Sequence, residues 1–216
     1  MKKIHVPGYR ILLAIPLLAL LLQGCFEMAV MGAGTAIFSV VDRRTTGVQV
    51  DDEGNELRAG NRVSERFGDK VHVNISSFNR SVLVTGEVPD ANARAEIEKL
   101  IQGVPGVRGV TNDLQVAGGA SLASRASDAT ITGKVKARLF DAGKLNPVHV
   151  RVVTEASVVY LLGIVTEAEA AAAVEVARTT GGVRKVVKVF EYCKPTDAVC
   201  AVPKPNAEEP KNKSGT

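Results

Sequence analysis

The chain has 216 residues, 45% of them hydrophobic, with 27 Lys and Arg against 23 Asp and Glu for a formal net charge of +4. Three of the basic residues, Lys2, Lys3 and Arg10, lie in a leader, and its removal brings the net charge to about +1, which argues against nucleic acid as a partner. Residues 25–216 are enough for one medium domain or two small ones.

The leader has a basic head, an apolar run from Ile11 to Leu22 and Gln23-Gly24 before Cys25. That is the layout of a cleaved signal peptide over residues 1–24, and the apolar run is well short of the ~20 residues a spanning helix needs. Leu22 to Cys25 resembles the lipobox of bacterial lipoproteins, which implies that Cys25 becomes the first mature residue and its thiol carries lipid. At roughly 0.8 kcal/mol per buried methylene, a multiply acylated Cys25 is a permanent anchor. Phe26, in place of the Asp usual in inner-membrane lipoproteins, implies the periplasmic face of the outer membrane. Met28 to Val41 is apolar but too short to span.

Two copies of one unit follow. Val71-His72-Val73 reappears as Val148-His149-Val150, and Gly86 within Val82–Val88 reappears as Gly163 within Val159–Val165, a register of 77 residues. Gly106-Val107-Arg108 matches Gly182-Val183-Arg184 after a one-residue slip. In the first copy the patterns predict a helix from about Glu56 to Phe67 and a strand with Val71, Val73 and Ile75 on one buried face. A turn at Ser76–Arg80 and a strand with Val82, Val84 and Val88 inward come next. Asp90 caps a second helix to about Gln102, and a strand runs from Val110 to Val116. In the second copy the helix is predicted at about Asp128 to Phe140, with a turn at Thr154–Ser157. Thr166-Glu167-Ala168-Glu169 then forms a capping box, and a final strand runs from Val183 to Tyr192. The sections divide as a lipidated linker at 25–50, domains at 51–116 and 127–192, a linker at 117–126, and a tail at 193–216.

This order of elements, with a glycine in the second strand and Gly-Val-x-x-Val after the second helix, resembles the BON domain. The lead-in Asp42-Arg43-Arg44-Thr45-Thr46-Gly47 resembles the segment before the first domain in dual BON-domain outer-membrane lipoproteins of the DolP type. The resemblance implies an α+β fold of two tandem domains, each α-β-β-α-β with helices on a small three-stranded mixed sheet. It also implies a non-enzymatic lipoprotein that binds anionic phospholipid and supports outer-membrane integrity, often at division sites.

No constellation in the sequence points to catalysis, a metal or a cofactor. His72 and His149 flank inward valines and read as outward, solvated residues. Asp51-Asp52-Glu53 reads as a solvated helix entry, not a cation site. Cys193 and Cys200 are expected to pair in an oxidising periplasm, the alternatives being free thiols or half of a metal site. Around and beyond them the chain from Lys194 to Thr216 is Pro-, Lys- and Glu-rich without apolar periodicity, and the tail at 193–216 reads as disordered.

Charge and helical periodicity point to one surface. Residues 51–116 carry 8 basic and 11 acidic side chains, and residues 127–192 carry 9 and 7, so the second domain is the one an anionic membrane attracts. On its first helix Ile131, Val135 and Leu139 form an inward stripe, with Phe140 nearly opposite beside Gly133 and Lys136. Either these three contact lipid headgroups or Phe140 folds back as a lid on the core. The competing function is a periplasmic adaptor for envelope or cell-wall-remodelling proteins, using free strand edges.

Overall fold

The computed structural model describes residues 42–118 and 122–201. The signal peptide, the lipidation residue Cys25, the Met28–Val41 segment and the tail beyond residue 201 lie outside the described residues. No helix among the described residues is long and apolar enough to cross a membrane.

The first unit runs α1 (Thr46–Phe67), β1 (His72–Phe78), β2 (Ser81–Val88), α2 (Ala91–Gln102), β3 (Gly109–Asn112) and β4 (Gln115–Val116). The second runs α3 (Leu122–Ala142), β5 (Val150–Glu155), β6 (Val158–Val165), α4 (Glu167–Arg178) and β7 (Lys185–Tyr192). The fold is α+β, with two small mixed sheets, as expected. α1 starts ten residues before Glu56 because Thr45 caps it, accepting the Val48 N–H at 3.3 Å. α3 likewise begins inside the stretch read as a linker. Its first turns present Ala123, Arg125, Ala126 and Ser127 to solvent, so they carry no apolar period to read.

In each sheet the second strand is central. β1 pairs antiparallel with β2, and β3 and β4 both pair parallel with β2, so the first sheet counts four strands where three were expected. The break falls at Asp113-Leu114, where Leu114 turns into the core. β5, β6 and β7 repeat the arrangement without a break. Helices cover one face of each sheet. Ala59, Val63, Ile97 and Ile101 pack on Val82, Val84 and Val88, and Ile131, Val135, Leu139, Ala173 and Ala177 pack on Val159, Leu161 and Val165. A fully buried side chain of this size contributes roughly 1.5–3 kcal/mol.

The central strands are buried on both faces, which corrects the one-sided reading of their alternation. Their outer faces meet each other. Phe78 and Leu83 of the first sheet pack with Tyr160, Leu162 and Ile164 of the second in a separate apolar cluster that also takes in Cys200. Polar bonds frame this cluster. The Tyr160 hydroxyl donates to Asp113 at 2.7 Å, Arg151 bonds Glu56 at 2.7 Å and the Ser77 carbonyl at 3.0 Å, and Arg108 pairs with Glu191 at 2.7 Å. Burial and the Asp113 carboxylate hold the Tyr160 hydroxyl well above its usual range, so it remains a donor.

The hairpin turns are tighter than predicted. β1 runs through Phe78 and β5 through Glu155, which leaves two-residue turns at Asn79-Arg80 and Ala156-Ser157. All four turn residues have positive φ, between 48° and 65°. Asn-Gly is the usual solution for such a turn, and a residue with a Cβ costs about 1–2 kcal/mol there. A buried carboxylate offsets that cost in each unit. Asp52 accepts the N–H groups of Asn79 at 2.8 Å and Arg80 at 2.6 Å; Asp128 accepts those of Ala156 at 2.9 Å and Ser157 at 2.8 Å. Asp52 is therefore no part of a solvated helix entry: it is 2% exposed, also accepts the Ser77 hydroxyl at 2.7 Å, and pairs with Arg44 at 2.8 Å.

The tail is ordered by turns as far as Ala201, where disorder was expected from residue 193. Asp197 accepts the Lys194 N–H, and its carbonyl accepts those of Cys200 and Ala201. Cys193 and Cys200 have their sulfurs at bonding distance with Cα atoms 6.2 Å apart.

Candidate lipid-facing helix and interdomain clasp

α3 is held by its inward stripe. Ile131, Val135 and Leu139 are each at most 3% exposed, and the Thr132 hydroxyl donates to the Thr154 hydroxyl on β5 at 2.7 Å. Arg138 reaches across to α4, bonding the Val176 carbonyl and the hydroxyls of Thr180 and Thr179 at 2.7–3.1 Å. It thereby satisfies a carbonyl near the helix C-terminus, as Arg62 does from α1 to the Leu100 carbonyl in the first unit.

With the helix fixed in this way, Gly133, Lys136 and Phe140 are all exposed on the other side. Phe140 is 75% exposed and is not a lid on the core. Gly133 has open space around the position of a Cβ, so no packing requires glycine there, although glycine inside a helix costs about 1 kcal/mol relative to alanine. The three side-chain positions form a smooth strip with one cation and one aromatic ring.

The lead-in has a role that sequence reasoning missed. Arg43 donates to the Ile164 carbonyl at 2.8 Å and bidentately to Glu169 at 2.8 and 3.0 Å, all in the second unit. Arg44 bonds Asp42 and Asp52 and lies over the Phe78 ring, 4.0 Å from its centroid, in the first. Adjacent arginines thus clasp both units. The only signal in the sequence was two consecutive arginines, whose partners lie up to 126 residues away.

Glu169 serves twice, since it also closes the Thr166 capping box. Burial alone would raise its carboxyl, but the bonds from Arg43 and Thr166 outweigh burial and bring it from an ordinary 4.5 to about 2. A depressed carboxyl stabilises the fold above its unfolded value and loses that contribution as pH falls from about 4.5 toward 2. Glu169→Gln is therefore expected to lower the melting temperature at pH 6. The gap to the parent should close below pH 4.5 in a calorimetric pH series, and a gap that persists at pH 2 would contradict this assignment.

The histidines are not the outward, solvated pair that alternation suggested. The His149 side chain is 14% exposed with Nδ1 3.6 Å from Glu169, and His72 is half-buried on the outer face of the first sheet, opposite Glu87 in the β1–β2 register. His72 lies on an edge strand whose outer face turns toward the other sheet, whereas His149 ends a 3-10 turn at Pro147–His149, just before β5, and faces the start of α4.

The BON domain family model matches residues 60–118 and again 127–194. The chain belongs to the BON-domain family. Outer membrane lipoprotein DolP of Haemophilus influenzae is 39% identical over 173 residues, covering 79% of this chain and 90% of that protein. The 21 kDa hemolysin of Actinobacillus pleuropneumoniae is 33% identical over 154 residues, covering 70% and 79%. Among solved structures, CdsD, a structural protein of the type III secretion system of Chlamydia trachomatis, aligns at a TM-score of 0.28 and 11% identity over 63% of this chain and 91% of that one, a fit too loose to bear on the fold. Two BON domains and the extent of identity to DolP make this a dual BON-domain protein of the DolP type. The glycine shared by the two BON repeats has a direct cause. A Cβ on Gly86 would run into the carbonyl oxygen of His72 on the paired strand, and one on Gly163 into that of His149, the residue before β5.

Proposed function

We propose that this protein is a non-enzymatic lipoprotein, anchored through lipidated Cys25 on the periplasmic face of the outer membrane, whose second BON domain binds anionic phospholipid through Gly133, Lys136 and Phe140. The observation that carries this reading is the 75% exposure of Phe140 beside Lys136, on a helix whose other side is locked into the core. An exposed aromatic ring next to a cation on a smooth strip is what an interfacial helix presents to headgroups. A Cys193–Cys200 disulfide would fasten the end of the second domain to the interdomain cluster in an oxidising compartment. In this reading the protein supports outer-membrane integrity, with a role at division sites.

The test is co-sedimentation of the unlipidated Cys25→Ser protein with vesicles rich in phosphatidylglycerol and with neutral ones. The parent should prefer the anionic vesicles. Phe140→Glu, shown to be folded by circular dichroism, should bind at least ~10-fold more weakly, since Phe burial is worth roughly 1.5–3 kcal/mol. Lys136→Glu should weaken binding by about 1 kcal/mol or more, with an effect that fades as salt rises. Parental binding by both variants would remove α3 from the lipid site. Absence of any anionic preference would favour the adaptor reading.

A further inference from the structure

We infer that His72, Glu87 and Glu155 form a site for one divalent transition-metal ion, of the zinc class, that joins the first BON domain to the second. His72 and Glu87 are direct partners across β1 and β2. Glu155 comes from the end of β5 in the other domain. One ligand atom from each lies within 4.8 Å of the other two.

The electrostatics of the cluster call for a cation. Glu87 is 8% exposed and Glu155 6%, and among the described residues neither carboxylate takes part in an ion pair. Glu87 Oε2 is buried with no hydrogen-bond partner. An unpaired carboxylate is strongly disfavoured in a buried position, and a second one beside it adds like-charge repulsion. A divalent ion between them relieves both.

The donor set selects the ion. One imidazole nitrogen and two carboxylate oxygens suit zinc and its first-row neighbours, whereas magnesium and calcium favour oxygen-only shells. Ligands held at ~2.0–2.2 Å from a tetrahedral zinc stand roughly 3.3–3.6 Å apart, so side chains whose ligand atoms lie within 4.8 Å of one another close by up to about 1.3 Å, within reach of small side-chain rotations. Asn74 is placed to orient them. Its Nδ2 donates to Glu155 Oε2 at 2.6 Å and lies 3.4 Å from His72 Nε2, the kind of outer bond that steers a metal ligand. Clefts of 480 and 370 Å³ both reach Glu87, leaving room for water to complete the coordination.

The ion would act as a staple, because its ligands come from both domains. The test uses the full-length lipoprotein in detergent, stripped with EDTA and dialysed against low micromolar zinc under non-reducing conditions. Elemental analysis should find one zinc per chain, and the melting temperature should rise with zinc concentration, as linkage requires of an ion that binds only the folded state. Glu87→Gln keeps the side-chain shape, removes the buried charge and should lower zinc affinity at least tenfold, abolishing the zinc-dependent rise. His72→Gln, at a half-buried position that tolerates an amide, should do the same and serves as the second variant if Glu87→Gln perturbs the fold. A parent that retains less than one zinc per chain, or zinc binding at parental affinity in both variants, would overturn the site.

Discussion

Asp52→Ala is expected to destabilise the first BON domain by ~3–5 kcal/mol, the range for breaking a buried, bonded charge pair. The loss is large because one carboxylate serves four groups. Asp52 holds the Asn79 and Arg80 N–H groups in a turn whose residues both have positive φ, accepts the buried Ser77 hydroxyl, and pairs with Arg44. Removing it leaves the Asn79, Arg80 and Ser77 donors without that acceptor and takes away the buried one of Arg44's two carboxylate partners, Asp42 remaining. Against a total of 5–15 kcal/mol for a typical domain, this is a substantial fraction. Asp128→Ala removes the corresponding two turn bonds in the second domain, a smaller loss of ~1–3 kcal/mol. Urea unfolding followed by circular dichroism measures both. A shift of under ~0.5 kcal/mol for Asp52→Ala, the size of an ordinary surface change, would show that the turn does not depend on this carboxylate.

Gly86→Ala is expected to cost ~2–6 kcal/mol, from two sources. The residue has φ 117°, a region that strains an L side chain by ~1–3 kcal/mol. In addition a Cβ there would overlap the His72 carbonyl oxygen and come within 3.0 Å of its carbon, and forcing that backbone apart costs a further ~1–3 kcal/mol. Gly163→Ala meets the corresponding carbonyl of His149 but is not among the glycines at positive φ, so its cost should be lower. The order of the two midpoints in urea is the check, and equal losses would mean that the carbonyl overlap alone governs both sites. The effect should reach beyond stability. Gly86 lies between Thr85 and Glu87 on the central strand, so a displaced β1–β2 pairing would move His72 and Glu87 together.

The two lead-in arginines explain how the domains act as one body. Arg43 and Arg44 are neighbours in sequence but bind opposite domains, so the chain between the membrane anchor and α1 is fastened before the first helix starts. The acidic excess of the first domain and the basic excess of the second are in part used internally, through Glu56–Arg151 across the interface. Arg108–Glu191 crosses it with the opposite polarity. What faces outward from α3 is therefore a better guide to membrane contact than the net charge of either domain.

The repeat, the element order and the helix-facing core are legible in the sequence because each rests on short-range pattern. The Ile131-Val135-Leu139 stripe follows the helical period, the Thr166–Glu169 capping box closes over three residues, and Val82, Val84 and Val88 share a face because side chains alternate along a strand. The outer faces are not legible in the same way. In the first domain that face of β2 carries Leu83, Thr85 and Glu87, which reads as a half-solvated strand until Tyr160, Leu162 and Ile164 of the other domain cover it. Asp52 reads as solvated for the same reason: its partners at Asn79 and Arg80 are 27 and 28 residues away and meet it only when β1 and β2 fold back beside α1. Periodicity reports which side of an element is apolar. What a polar or mixed side will meet depends on the docking of whole domains, a property of contacts far apart in the chain, and that docking brings a half-buried His72 and two buried glutamates into one cluster shared by both domains.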